Sequence, residues 1–397
     1  MRKLAATYLF PGNRPPLKNG ILLCEDDGTV VDLIDTGQQL REQAGLEYYS
    51  GILIPGFVNA HCHLELSHLK GKIPEKTGLG GFLGTINHLR NLEVESQEAE
   101  MEKADFQMWN SGVVVVGDVS NSYASLETKR TSRIHYHTFV EAFGFHPSRA
   151  DKAFAFAEFV ESMFREFGLS ASVTPHSPYS VSELLFQKIR QKALAENNIL
   201  SVHNQESQAE TEFFMKETGP VFHHLSETLG LDITHWKPTG KSSLEFTLSF
   251  VPEKNPLLLV HNTFTSPEDI QLLKRQRNLE NTFLVLCPTA NLYIENQLPP
   301  VLLFQKEKIN ICLGTDSLAS NHALSILQEM ITLQKFFPEI TLQELVEWGC
   351  WNGAQALGLT DLLGSLEPGK KPGVNLISGV DLQGLKLTEK SKVKRLI

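Results

Sequence analysis

Two histidines in the stretch "IPGFVNAHCHLELSH", His61 and His63, stand one residue apart at the end of an apolar run. On a strand, alternate residues point to the same side, so both imidazoles can face one point. Neutral imidazole nitrogens suit zinc, iron and similar divalent ions. A lone His-x-His pair is weak ground, because paired histidines also occur on surfaces. His203 in "ILSVHNQE" and Asp316 in "INICLGTDS" end two further apolar runs. Three histidines and an aspartate fill a mononuclear metal site and leave one position for water.

Hydrolysis at such a site also needs a proton carrier and a group that orients the water. Glu206 follows His203 by three residues, close enough to take a proton from water and hand it to a leaving group. A solvated loop acid is the commoner fate of a glutamate. His261 ends the run "PLLLVHNT" and can polarise the water, although the same position fits a buried structural histidine. Asp316 can both bind metal and accept a proton.

These residues must be carried by a repeating frame. Eight strand-like apolar runs end abruptly in polar or ionisable residues: "GILIPGFVNAHCH", "GVVVVGDVS", "IHYHTFVEAF", "LSASVTPHS", "ILSVHNQE", "PLLLVHNT", "TFLVLCPTAN" and "INICLGTDS". Between most of them lie helical segments. "SVSELLFQKIRQKALAENN" opens on Ser182 as a cap and closes on Asn197 and Asn198. "SPEDIQLLKRQRN" opens on Ser266, then Pro267 and two acids in its first turn. In "ADKAFAFAEFVESMFREFG" the helically spaced phenylalanines read as core packing. Strand and helix alternating eight times predict an α/β fold of the closed parallel (β/α)8 type, with chemistry at the C-terminal strand ends. Turns favour Gly, Asn, Asp, Ser and Pro, so histidine at so many of those ends calls for another reason.

Residues 53–362 are expected to form the barrel. Residues 1–52 and 363–397, with their short strands and turns, are expected to form a small composite β-sandwich domain. The sequence does not say whether "KGKIPEKTGLGGFLG", after His63, is a lid or a recognition loop. "HHL" at His223 and His224 reads as a loop or helix surface rather than a second metal site.

A net charge of -10 argues against a nucleic-acid binder, which needs a basic face. The five cysteines form no CxxC pair, so neither a disulfide framework nor a thiolate zinc site is expected. No apolar run reaches membrane-span length and the N-terminus lacks a signal-peptide pattern. A cytoplasmic protein with a small-molecule substrate is expected. Nothing in the sequence excludes a homo-oligomer.

"LIPGFVNAHCHLELSHLKG", "TPHSPYSVS", "SVHNQES", "CPTAN", "LGTDSLASN" and "GSLEPGKKPG" together resemble the ordered landmarks of the amidohydrolase superfamily. The likeness is nearest to its metal-dependent deaminase and chlorohydrolase branch, which includes S-adenosylhomocysteine, adenosine-type and aminodeoxyfutalosine deaminases. It covers about residues 21–377 and is specific for the branch, not the substrate. The resemblance implies a distorted (β/α)8 barrel holding one divalent ion, zinc first and iron second. It implies His61, His63, His203 and Asp316 as ligands, Glu206 as proton shuttle and His261 as the residue that helps activate water. It implies Glu65 and His176 as substrate contacts. No lysine stands at the end of the fourth strand, so the resemblance favours one metal over two.

The chain departs from the pattern at three places. Asn204 and Gln205 replace small apolar residues, Asn262 stands where many relatives carry cysteine, and the closing motif reads "GKKPGV". The activity implied is hydrolytic release of ammonia from an aminopurine nucleoside or related amino-heterocycle. The same ligands would serve a chlorohydrolase or a cyclic amide hydrolase. A scaffold that has lost catalysis is the third reading, and it conflicts with the survival of all four ligands.

Overall fold

The computed structural model describes residues 1–90 and 97–397. The chain opens with β1 (Arg2–Leu9), β2 (Leu17–Lys18), β3 (Ile21–Cys24), β4 (Val30–Ile34) and β5 (Leu46–Pro55). Eight strands follow: β6 (Phe57–Cys62), β7 (Val113–Ser120), β8 (His135–Ala142), β9 (Ser170–Pro175), β10 (Leu200–Asn204), β11 (Leu257–His261), β12 (Thr282–Leu286) and β13 (Asn310–Leu313). The last two are β14 (Val374–Ser378) and β15 (Lys392–Arg395).

β6 to β13 carry the eight runs and pair in parallel as two ladders, β6-β7-β8-β9 and β10-β11-β12-β13. Hydrogen bonds across both seams join them into the barrel. At one seam Cys62 bridges to Asp316, and the Thr315 and Asp316 amides donate to the His61 carbonyl at 2.9 and 3.1 Å. At the other, hydroxyls take over part of the ladder. Ser201 N donates to Thr174 Oγ1 at 2.9 Å, Ser172 Oγ to the Ile199 carbonyl at 2.9 Å, and His203 N to the His176 carbonyl at 3.0 Å. Every residue of β6, β7, β10, β11 and β12 is buried, as strands covered on both faces must be.

The first apolar run divides. Its Ile52–Pro55 portion stays in β5, paired with β14, and the barrel begins at Phe57. Gly56 lies between, where a Cβ would come within 2.4 Å of Val114 and 2.5 Å of the Pro372 carbonyl. Strands from both chain ends share one seven-stranded sheet, ordered β15-β14-β5-β1-β3-β4 with β2 on β1, over a core that includes Leu4, Leu9, Leu22, Leu53 and Leu376.

Helices form where the caps predict them. Glu183–Glu196 is capped by Ser182 and ends on Asn197 in the left-handed region. Pro267–Gln276 has a reciprocal capping box between Ser266 and Asp269. In Ala150–Glu166 the phenylalanine expectation is corrected. Ala157, Val160 and Phe164 face the core, whereas Phe156 and Phe159, on the helix flank, are half exposed. Glycine-rich "GLGGFLG" is a helix, Gly78–Arg90, rather than an open loop. Gly80 permits its close approach to the segment after β10, since a Cβ there would meet Pro220 at 2.7 Å.

Candidate metal centre and active site

His61 and His63 leave the end of β6 on one side, as the two-residue period demands. His63 Nε2 lies 3.1 Å from His61 Nε2 and 3.3 Å from His203 Nε2, all three rings being buried. Asp316 Oδ1 lies 3.7 Å from His61 Nε2 and 3.4 Å from His63 Nε2. His61 also groups with His261 and Asp316 through ligand atoms that lie within 4.8 Å of one another.

Three imidazole nitrogens this close, all out of water, need a shared proton or cation between them, and the His3Asp donor set suits zinc or iron. His203 Nδ1 donates to the His176 carbonyl at 2.8 Å, which leaves Nε2 as the lone-pair atom. Burial, then the neighbouring histidines, holds His203 well below its ordinary pKa, and burial brings His261 down to about 4. Both rings are therefore neutral at pH 7, the form that a ligand such as His203 must take. Burial alone would raise Asp316, but His61 and the other nearby histidines hold it well below the usual carboxylate range. Its second oxygen accepts from the Ser320 hydroxyl.

The backbone is strained where it turns these groups inward. Gln205, His261, Asn262 and Asp316 all have positive φ, at 47°, 75°, 55° and 55°. For non-glycine residues such conformations persist where the surroundings fix them, typically at active sites. His261 Nε2 lies 3.6 Å from Glu206 Oε1. Burial, reinforced by the carboxylates of Asp316 and Glu210, pushes Glu206 well above its ordinary pKa. That shift favours the protonated form, whose carboxyl can donate a proton.

Six of the eight predicted site residues, His63, His176, His203, Glu206, His261 and Asp316, line one cavity, with His61 behind them. His176 lies beside His203, with ring centroids 4.8 Å apart. Glu65 is not brought into that cavity. Its carboxylate accepts from Asn121 N at 3.0 Å, Ser122 N at 3.2 Å and Ser122 Oγ at 2.8 Å, so it fastens the segment after His63 to the end of β7. His224, expected at the surface, is buried and lines the cavity, while its neighbour His223 is exposed.

Several supporting residues lie outside the predicted site set. Glu210 is fully buried and accepts from the amides of Gln205 at 3.0 Å and Glu206 at 3.2 Å. Asp118 accepts from Leu64 N at 2.8 Å and pairs with Lys129 Nζ at 2.7 Å, both side chains being wholly buried. Two departures from the superfamily pattern compensate each other, because Asn204 Nδ2 donates to Asn262 Oδ1 at 3.0 Å.

The amidohydrolase family model matches residues 52–395. The chain belongs to the amidohydrolase family. It is 28% identical to an adenosine deaminase of Helicobacter pylori over 333 residues, 82% of this chain and 78% of that protein. Among solved structures it resembles Helicobacter pylori aminofutalosine deaminase in complex with methylthio-coformycin, with a TM-score of 0.80 at 22% identity over the whole of both chains. It also resembles a zinc-bound adenosine deaminase from Xanthomonas campestris, with a TM-score of 0.72 at 21% identity, covering 98% of this chain and 87% of that one. This amidohydrolase has no helix, among its described residues, long and apolar enough to cross a membrane.

Proposed function

We propose that the protein is a hydrolytic deaminase that releases ammonia from an aminopurine nucleoside or a related amino-heterocycle. The observation that carries this reading is the convergence of three imidazole nitrogens and the Asp316 carboxylate beside a buried Glu206. The names of the relatives it resembles supply the substrate class.

His61, His63, His203 and Asp316 would hold one divalent ion, zinc first. When bound, zinc lowers the pKa of a coordinated water so that a nucleophile is available at neutral pH. His261 Nε2, 3.6 Å from Glu206 Oε1, stands where it can help polarise the attacking water. Glu206 delivers its carboxyl proton to the ring nitrogen as the ring carbon is attacked; the proton that Asp316 takes from the water passes to the departing amino group, which leaves as ammonia, and the remaining hydroxyl proton returns to Glu206 as the carbonyl forms. Asp316 accepts a proton from the water. His176 contacts the substrate from the cavity wall. Glu65 supports that wall through the 121–122 amides. The five cysteines are free and buried, which fits the reducing cytoplasm we assign.

The test is ammonia release by zinc-loaded protein against adenosine, S-adenosylhomocysteine, 5′-methylthioadenosine, aminodeoxyfutalosine, guanine and cytosine. Release from an aminopurine nucleoside, abolished in Glu206→Gln with zinc retained, supports the proposal. Silence across the panel with zinc bound refutes it and favours a different leaving group.

A further inference from the structure

The helix Ala150–Glu166 carries two stripes. Ala157, Val160, Glu161 and Phe164 turn inward and are buried. Along the outside run Lys152, Phe156, Phe159, Met163 and Glu166, spaced alternately by four and three residues, which is the spacing of a two-helix seam. Lys152, Phe156, Phe159 and Glu166 are exposed, and Met163 is partly so. Tyr123, half exposed after the end of β7, meets the Phe159 ring edge-on with centroids 6.1 Å apart and widens the patch. Aromatic rings standing together in water mark a contact surface, whereas single exposed apolar residues are ordinary. The charges at the ends of the stripe identify the occupant. Asp151, Glu158, Glu161 and Arg165 of the same helix form salt bridges within the chain. Lys152 and Glu166 form none among the described residues, and they stand equally far from Phe159 along the helix.

We infer that this stripe is an isologous dimer interface, covered by the same helix of a second copy of this chain. When the helix pairs antiparallel with its copy about a two-fold axis at Phe159, Lys152 meets Glu166 at both ends, Phe156 meets Ser162 and Met163, and Phe159 meets itself. The stripe is thus complementary to itself in apolar contact and in charge, as an isologous contact requires. Parallel pairing would set Lys152 against Lys152 and Glu166 against Glu166, so the end charges fix the direction. Tyr123 follows Asn121 and Ser122, whose amides hold Glu65, and the interface therefore adjoins the segment that supports the cavity wall.

One helix and one loop make a small interface, so sedimentation of the zinc-loaded full chain should show monomer and dimer in exchange, with Kd on the order of micromolar. Phe159→Asp puts two carboxylates face to face at the centre and should raise Kd by roughly a hundredfold. Lys152→Glu or Glu166→Lys alone sets like charges opposite each other at both ends and should raise it by roughly tenfold. The two reversals combined restore both pairs and should return Kd to within roughly threefold of wild type. That rescue separates a direct contact from damage to the helix, which the second reversal would not repair. A chain that stays monomeric up to about 100 μM, a dimer indifferent to Phe159→Asp, or single reversals that the combination does not rescue would overturn the inference. A tetramer that falls to dimers in Phe159→Asp supports it, and a tetramer that persists overturns it.

Discussion

Glu210→Gln tests whether Glu206 is placed by the carboxylate beneath it. Glu210 is fully buried, and its two oxygens accept the amides of Gln205 and Glu206 at 3.0 and 3.2 Å. Burial raises its pKa to about 7, against the pull of Ser243 and those same amides. Glutamine keeps one acceptor oxygen and turns an NH2 group toward the other amide. The loss is one hydrogen bond to a partly ionised group, about 1.5–3 kcal/mol. If that energy holds Glu206 in its reactive position, kcat falls by roughly tenfold to a hundredfold. Steady-state ammonia release should show this fall with KM little changed, and metal analysis should still find the ion bound. A kcat within twofold of wild type would refute the reasoning. Loss of the metal would show that Glu210 acts through the ligands instead.

Three further outcomes are expected. Lys129→Met strands Asp118 without its buried partner and should cost about 3–5 kcal/mol in denaturant unfolding, partly recovered by adding Asp118→Leu; a loss below about 1 kcal/mol would contradict it. Glu329, buried and bonded to Thr289 N and Asn321 Nδ2, titrates at about 7 when folded and at 4.5 in its ordinary state. The folded state therefore holds the proton more tightly, so its contribution is full below about pH 4.5 and is lost as pH rises to about 7, by on the order of 3 kcal/mol. Subtracting the stability profile of Glu329→Gln from that of wild type should reveal that slope, and parallel profiles would exclude it. Chelation should lower Tm, because an ion at about a thousand times its Kd contributes about 4 kcal/mol; an unchanged Tm would argue that no ion is held by the folded protein.

The barrel strands are legible because each is a short apolar run cut off by a polar residue, and histidine at those cuts is poor turn chemistry. His61, His63, His203 and Asp316 can be gathered from sequence because a parallel barrel puts all its strand ends on one face. Glu65 is harder. Its spacing from His63 is right for a cavity, but the backbone turns into a short helix at Leu64–Leu69 and sends the carboxylate to the 121–122 amides. Glu210 and Lys129 leave no signal, since an acid or a lysine on a helix reads as solvated until its burial is known. His224 is hidden for the same reason: its burial depends on the helix Gly78–Arg90, whose Asn87 lies 3.3 Å from it. The helix Gly78–Arg90 is masked by four glycines whose cost is offset by packing over the cavity.

The most direct test of the central claim is a zinc titration of metal-free protein, read as ammonia released from an aminopurine nucleoside. One ion held by His61, His63, His203 and Asp316 predicts activity that rises linearly to one equivalent and then levels. Full activity without zinc, or a rise that continues to two equivalents, would contradict a mononuclear hydrolytic deaminase.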